Sequence, residues 1–163
     1  MSNSLVVEAL IEIPTGSQNK YEFDKEAGRF KLDRVLFSPM HYPTEYGYIE
    51  NTLAEDGDPL DVLVLTTFPT FPGCVIDARV IGVLIMTDDK GKDEKLLAVP
   101  TEDPRFKEVH SLDDVAPHVL KEIAHFFQVY KDLENKKVSI EGWQGVDVAA
   151  RLIEECKARY QKQ

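Results

Sequence analysis

The sequence predicts an α+β fold, with a strand-rich first two-thirds that forms a closed or nearly closed barrel and a helical end. Up to Val99, short apolar segments recur between clusters of Pro, Gly and Asp, the pattern of a closed or nearly closed barrel. After Ser111 the apolar residues return at helical spacing instead. Size sets the frame: 163 residues, 43% hydrophobic and 29% charged, suit one domain, 1–163, with its own core. Neither an internal repeat nor a linker-like stretch divides it.

Leu5 to Ile13 reads as the first strand, with Val7, Ala9, Ile11 and Ile13 on one face and Glu8 and Glu12 on the other. Tyr21 to Phe23 and Phe30 to Leu36 read as a hairpin that turns through Glu26-Ala27-Gly28. Tyr46 to Leu53, Leu60 to Thr66, Val75 to Ile85 and Leu96 to Val99 follow as further strands. Ser111 with Asp114 resembles a capping box, and Pro117 suits an early helical position. Beyond it Val119, Leu120, Ile123, Phe126, Phe127 and Tyr130 form one apolar stripe. A second helix, Val146 to Tyr160, turns Val148, Leu152, Ile153 and Cys156 inward. Both stripes read as core.

Several classes of function drop out on composition. The longest apolar runs, Val62 to Leu65 and Val80 to Met86, are too short to cross a bilayer, so no membrane association is expected. Met1-Ser2-Asn3-Ser4 lacks the basic start and apolar stretch of a signal peptide, and the expected location is cytoplasmic. Cys74 and Cys156 have neither disulfide-framework nor zinc spacing and are expected to stay reduced. A net charge of −10, from 29 acidic and 19 basic residues, argues against a nucleic-acid partner, which needs a basic stripe. An acidic chain that handles a phosphate compound needs metal ions as intermediaries.

The chemistry concentrates at Asp56-Gly57-Asp58-Pro59-Leu60-Asp61, which runs into the apolar strand Val62 to Leu65. In extended chain, Asp56 and Asp58 face the same side, and Pro59 bends the path so that Asp61 can join them. A second group, Asp88-Asp89-Lys90-Gly91-Lys92-Asp93, follows the strand ending near Met86. Crowded carboxylates raise one another's pKa unless a cation neutralises them. Oxygen ligands without His or Cys point to a hard ion, Mg²⁺ or Mn²⁺. A lone Asp-x-Asp is mostly a solvated turn; two acidic clusters beside strands, in a chain with matching cations, favour a site. A calcium helix–loop–helix fails because Asp61 and Thr67 occupy the positions that want Gly and Glu. Lys20, Arg34, Lys95 and Lys131 can supply positive charge, and Tyr42, Tyr46 and Tyr130 hydroxyl donors, although spacing alone does not select them. With no phosphate-binding Gly-x-x-x-x-Gly-Lys-Ser/Thr loop and no Gly-x-Ser-x-Gly elbow, phosphoryl chemistry with metal-activated water remains.

The run Asp56 to Val64 resembles the signature of the family I soluble inorganic pyrophosphatases. The likeness extends over nearly the whole chain, through Ile11-Glu12-Ile13-Pro14, Lys20-Tyr21-Glu22, Leu32-Asp33-Arg34, Tyr42 to Tyr48, Met86 to Asp89, Asp93-Glu94-Lys95 and His125 to Glu134. It implies a magnesium-dependent hydrolase of pyrophosphate, a five-stranded barrel of the oligonucleotide-binding type with helices outside, and a homohexamer. It also implies roles: Asp56, Asp61 and Asp93 as principal metal ligands, Asp88 and Glu22 at outer ion sites, and Glu12 in the same acidic shell. Lys20, Arg34, Tyr46, Tyr130 and Lys131 match phosphate-gripping residues, with Lys95 and Tyr42 close by. Asp58 matches the residue that helps deprotonate the attacking water. Asp89 stands where relatives often have Glu, which touches only a peripheral metal contact. The competing expectation is a metal-dependent phosphoesterase acting on other phosphates.

Overall fold

The computed structural model describes residues 4–163. Residues 1–3, on which the targeting reading partly rests, lie outside them. Strand Val6–Ile13 (β1) buries Val7, Ala9, Ile11 and Ile13 on one face, as its alternation requires. Asn19–Asp24 (β2) and Arg29–Val35 (β3) form a hairpin that is a two-stranded sheet of its own. Then come Glu45–Tyr48 (β4), Asp61–Val64 (β5), Val75–Asp88 (β6), Gly91–Lys92 (β7) and Lys95–Pro100 (β8). Helix Pro117–Val129 (α1), strand Ser139–Gln144 (β9) and helix Val146–Gln161 (α2) complete the order.

Hydrogen bonding runs β1-β4-β5-β8-β6 and returns from β6 to β1, so five strands close into a ring. This is the five-stranded barrel that the family resemblance implies. Closure needs β4 to pass very near β1. A Cβ on Gly47 would lie 1.9 Å from the Leu10 carbonyl oxygen, so only glycine fits there. The pairing of β5 with β8 is parallel, Asp61↔Lys95 through Val64↔Ala98, whereas the other pairings of the ring are antiparallel.

Each face of this wall carries an apolar cluster. Val62, Val64, Leu96 and Ala98 point one way and meet Ala149, Ile153 and Cys156 of α2. Leu63, Leu97 and Val99 point the other way and meet Ile123, Phe126 and Phe127 of α1. Each large apolar side chain so buried contributes about 1.5–3 kcal/mol. Both helical stripes are therefore core. No helix among the described residues is long and apolar enough to cross a membrane. Cys156 is buried and Cys74 half-buried, and both are free thiols.

Three local expectations differ from the structure. The strand expected over Tyr46 to Leu53 stops at Tyr48, because the chain turns at Asn51 (φ 62°). There the Thr52 hydroxyl donates to the Ile49 carbonyl (2.6 Å) and accepts from the Leu60 N–H (2.9 Å), replacing strand pairing. The Ser111/Asp114 pair does not start α1. Asp114 accepts from the His110 and Ser111 N–H groups at 2.9 and 3.1 Å and closes a short 3-10 helix, Leu112–Asp114, whereas α1 begins at Pro117. Strand β9 has no counterpart among the expected strands, since Gly142 (φ 128°) breaks its alternation at a bulge opposite β6.

Candidate active site

A cleft of about 810 Å³ opens between the β2–β3 hairpin and the barrel wall. Its barrel side is built by strand register. Asp61 begins β5, Lys95 begins β8, and the parallel pairing sets them side by side. Lys95 is 1% exposed, so its ammonium requires full compensation. Its Nζ lies 2.8 Å from Asp61 Oδ2 and 3.2 Å from Asp93, and it donates to Tyr46 Oη at 2.9 Å. Tyr46 in turn donates to Asp61 Oδ2 at 2.9 Å. The rings of Tyr46 and Phe127, at 4.9 and 5.2 Å from Nζ, add cation–π contact.

Protonation follows from this crowding. Burial raises Asp61 to about 6, with Asp93 adding repulsion and Lys95 opposing. Burial also works against charge on Asp93, but the Lys95 ammonium outweighs it and holds that carboxyl low. Burial alone would lower the Lys95 pKa; Asp61, Tyr46 and Asp93 instead push it well above the ordinary value. Glu12, near the end of β1, rises to about 7 through burial, helped by Asp61 and Glu22 and opposed by the Phe23 N–H that it accepts at 2.9 Å. Asp56 is raised by burial, with Asp93 and Asp58 adding to it. Asp61 and Asp93 share one cation, Lys95, whereas Glu12 and Asp56 have no ion-pair partner among the described residues.

The Asp56–Asp58 segment is not extended, contrary to the expected strand geometry. It is a turn in which Asp56 Oδ1 accepts from the Asp58 N–H at 3.0 Å and Gly57 has φ 91°. Asp56, Asp58 and Asp61 nonetheless line the same cleft, because the turn points its side chains where a strand would have pointed alternate ones. Upstream, the loop is fastened to α2: the Leu53 N–H donates to the Cys156 carbonyl at 3.0 Å, and Arg159 donates to the Leu53 carbonyl at 2.7 Å.

The facing side belongs to the hairpin. Lys20 and Arg34 are cross-strand partners and share Asp33, at 3.4 and 2.6 Å. Glu22, two residues after Lys20, lines the cleft with them. Tyr130 and Lys131 reach it from the end of α1, with Lys131 Nζ 5.4 Å from the Tyr130 ring centre. Burial lowers the Lys131 pKa, Asp88 opposing and Lys95 reinforcing the shift.

One expected residue does not line the cleft, and another, Tyr42, stands close by it as the resemblance implies. Asp88 does not line the cleft; its Oδ1 accepts from the Lys90 N–H at 2.8 Å, and Asp89 lines the cleft instead. Tyr42, 1% exposed, packs among Tyr46, Phe126 and Tyr130 as a core side chain. The motifs give no role to two anions that hold the cleft's cations: Asp33, and Glu134, whose Oε1 lies 3.1 Å from Arg34 Nε. Each neighbours an assigned cation in sequence or space, which is the signal that marks them.

No three carboxylates among the described residues form a closed metal cage. The donor set still fits Mg²⁺, which keeps several waters and takes only one or two carboxylates plus phosphate oxygens. Glu12 and Asp61, raised and without enough counter-charge, are the groups a cation would relieve.

The family model described as inorganic pyrophosphatase matches residues 9–161. The inorganic pyrophosphatase of Geobacillus stearothermophilus is 68% identical, over 97% of this chain and 96% of that one. The crystal structure of the Thermus thermophilus inorganic pyrophosphatase superposes with a TM-score of 0.93 at 48% identity, covering 96% of this chain and 91% of that chain. The Helicobacter pylori inorganic pyrophosphatase gives a TM-score of 0.94 at 43% identity, covering 99% and 96%. With a family model and close relatives that span nearly its whole length, and with the five-stranded barrel that the resemblance implies, the chain belongs to the inorganic pyrophosphatase family.

Proposed function

We propose that the chain hydrolyses inorganic pyrophosphate to two phosphates with Mg²⁺. The observation that carries this reading is one cleft with an acidic wall, Asp56, Asp58, Asp61 and Asp93, facing a cationic wall, Lys20, Arg34 and Lys131. The acidic wall would repel a multiply charged substrate; the cationic wall attracts it. Asp56, Asp61 and Asp93 would hold the metal, with Glu12, Glu22 and Asp88 at its margin. When bound, Mg²⁺ lowers the pKa of water and neutralises phosphate charge. Asp58, exposed at the tip of its turn, accepts the proton of the attacking water. Arg34, with its planar fork, and Lys20 and Lys131, as point charges, grip phosphate oxygens and orient the leaving group in line. Tyr46 and Tyr130 are held protonated by burial, so neither hydroxyl serves as a base.

Phosphate release from pyrophosphate is the direct test. Turnover should require Mg²⁺, and Ca²⁺ should oppose it, since the larger ion takes looser geometry and activates water less. Turnover with Ca²⁺ alone equal to that with Mg²⁺ overturns the reading. Faster release from nucleotides or sugar phosphates than from pyrophosphate would instead identify a broader phosphoesterase.

The proposed location is cytoplasmic, supported by two thiols left free. The proposed assembly is a homohexamer. Because both helical stripes are core, the exposed apolar side chains that favour assembly are others, among them Leu32, Phe37, Phe68 and Phe71. Sedimentation showing only monomer at micromolar concentration would count against it.

A further inference from the structure

We infer that Glu134 is a positioning residue for Arg34, and that their contact fixes the hairpin wall of the cleft against the end of α1. The inference rests on the reading of Arg34 as a phosphate-gripping side chain. Glu134 ends the 3-10 helix Asp132–Glu134, three residues beyond Lys131. Its side chain is 6% exposed, and Oε1 lies 3.1 Å from Arg34 Nε. Glu134 Oε2 and Arg34 Nε are both buried with no hydrogen-bond partner, so the contact is an ion pair and not an aligned hydrogen bond. Arg34 is thus the cation that this buried carboxylate depends on, and opening the contact would strand a charge away from water.

Asp33 holds the same guanidinium differently. It is 34% exposed, shares itself with Lys20, and sits on the same strand as Arg34, so it moves with the hairpin. Glu134 belongs to a different element and ties Arg34 to Tyr130 and Lys131. With Nε facing Glu134 and Nη1 facing Asp33, Nη2 is the nitrogen left free for a phosphate oxygen. A guanidinium held by one hydrogen bond to Asp33 and one ion pair to Glu134 loses little freedom when substrate arrives, which favours binding without adding a contact.

A double-mutant cycle tests this, with KM for magnesium pyrophosphate, kcat and Tm measured for Glu134→Gln, Arg34→Ala and the pair. Glu134→Gln keeps shape but removes charge, and should raise KM roughly tenfold while kcat falls much less. In the Arg34→Ala background the same substitution should leave KM unchanged. Arg34→Ala alone should also lower Tm by stranding Glu134, and adding Glu134→Gln should return part of that loss. An unchanged KM for Glu134→Gln, or an equal rise in both backgrounds, overturns the inference. If Arg34→Ala alone leaves KM unchanged, the phosphate-gripping reading of Arg34 falls first. Should Glu134→Gln fail to fold, Glu134→Asp carries the cycle: a KM rise confined to the Arg34 background supports the tether, and no rise or an equal rise in both refutes it.

Discussion

The two walls of the cleft carry acids and bases in different proportion and at different depth: the barrel side is mostly acidic, and the hairpin side carries as many bases as acids. On the barrel wall one fully buried ammonium, Lys95, serves Asp61, Asp93 and Tyr46, all placed by the pairing of β4, β5 and β8. On the hairpin wall two cations, Lys20 and Arg34, with side chains 22% and 23% exposed, share one half-exposed Asp33. The barrel wall is short of positive charge, and its strands cannot shift without breaking the ring. The hairpin wall balances its cations with acids nearer the surface, on a sheet that is not part of that ring. A metal needs ligands fixed beforehand, whereas a substrate that enters and leaves needs donors that cost little to expose. The difference in burial is the one that the proposed division of roles requires.

If the barrel wall is the rigid half, Lys95 is where it breaks most severely. Lys95→Met should abolish turnover and cost the metal-free protein about 3–5 kcal/mol, because Asp61 and Asp93 lose their buried counter-charge. Excess Mg²⁺ should restore part of the Tm. Urea denaturation with and without Mg²⁺ checks both statements, and a loss below about 1 kcal/mol would place this network among surface ion pairs.

Asp58 separates proton transfer from metal holding within the same wall. Asp58→Asn should lower kcat by about 10²–10⁴ while leaving Mg²⁺ affinity little changed. Extra Mg²⁺ should not rescue it, and the variant should gain more than the parent from alkaline pH. Asp61→Asn should weaken metal binding and recover partly at high Mg²⁺. A defect in Asp58→Asn that vanishes as Mg²⁺ rises would make Asp58 a ligand after all.

On the hairpin wall effects should be milder. Lys20→Ala should raise KM roughly tenfold, and its Tm should move by less than about 4 °C, since an exposed ion pair contributes little. A large Tm loss would show that the hairpin matters to stability as much as the ring does.

The smallest effect concerns pH. Glu12 and Asp61 have folded-state pKa values raised to about 7 and about 6. Between the ordinary carboxylate range and those values the folded chain holds more protons than the unfolded one. Their contribution to stability is therefore complete below about pH 4 and is lost as pH rises through 6 to 7. Metal-free Tm should fall by a few degrees, roughly, across that window. With saturating Mg²⁺ the fall should shrink or reverse, because the cation needs the deprotonated form. A metal-free Tm that climbs from pH 5 to 7.5 would overturn the assignment of those shifts.

Much of this is legible in the sequence because its signals are local. Alternation in Val6–Ile13 fixes which face is buried, and Pro117 marks where α1 begins. The Asp56–Asp61 run points to the chemistry on composition alone, although a turn and not a strand aims its side chains. Distant juxtapositions are not legible. Lys95 meets Asp61 through a parallel pairing that no hydrophobic period encodes, and Glu134 meets Arg34 across 100 positions of chain, by the arithmetic 134 − 34. Tyr42 stands beside Tyr46 and Tyr130, but no motif shows that its ring is buried in aromatic packing. Here resemblance to a family supplies the residue list, and the structure supplies the reasons.

The parallel pairing also has a temporal consequence. Asp61 and Lys95 meet only when β5 and β8 align, and the long strand β6 lies between them in the chain. Closing so large a loop is entropically slow compared with forming the β2–β3 hairpin, whose strands adjoin. During refolding the cationic hairpin can form early, while the metal site must wait for the ring to close. On the proposed reading, magnesium added at the start of refolding would have little to grip; it would select the finished barrel and slow its unfolding, leaving the rate of reaching it almost untouched.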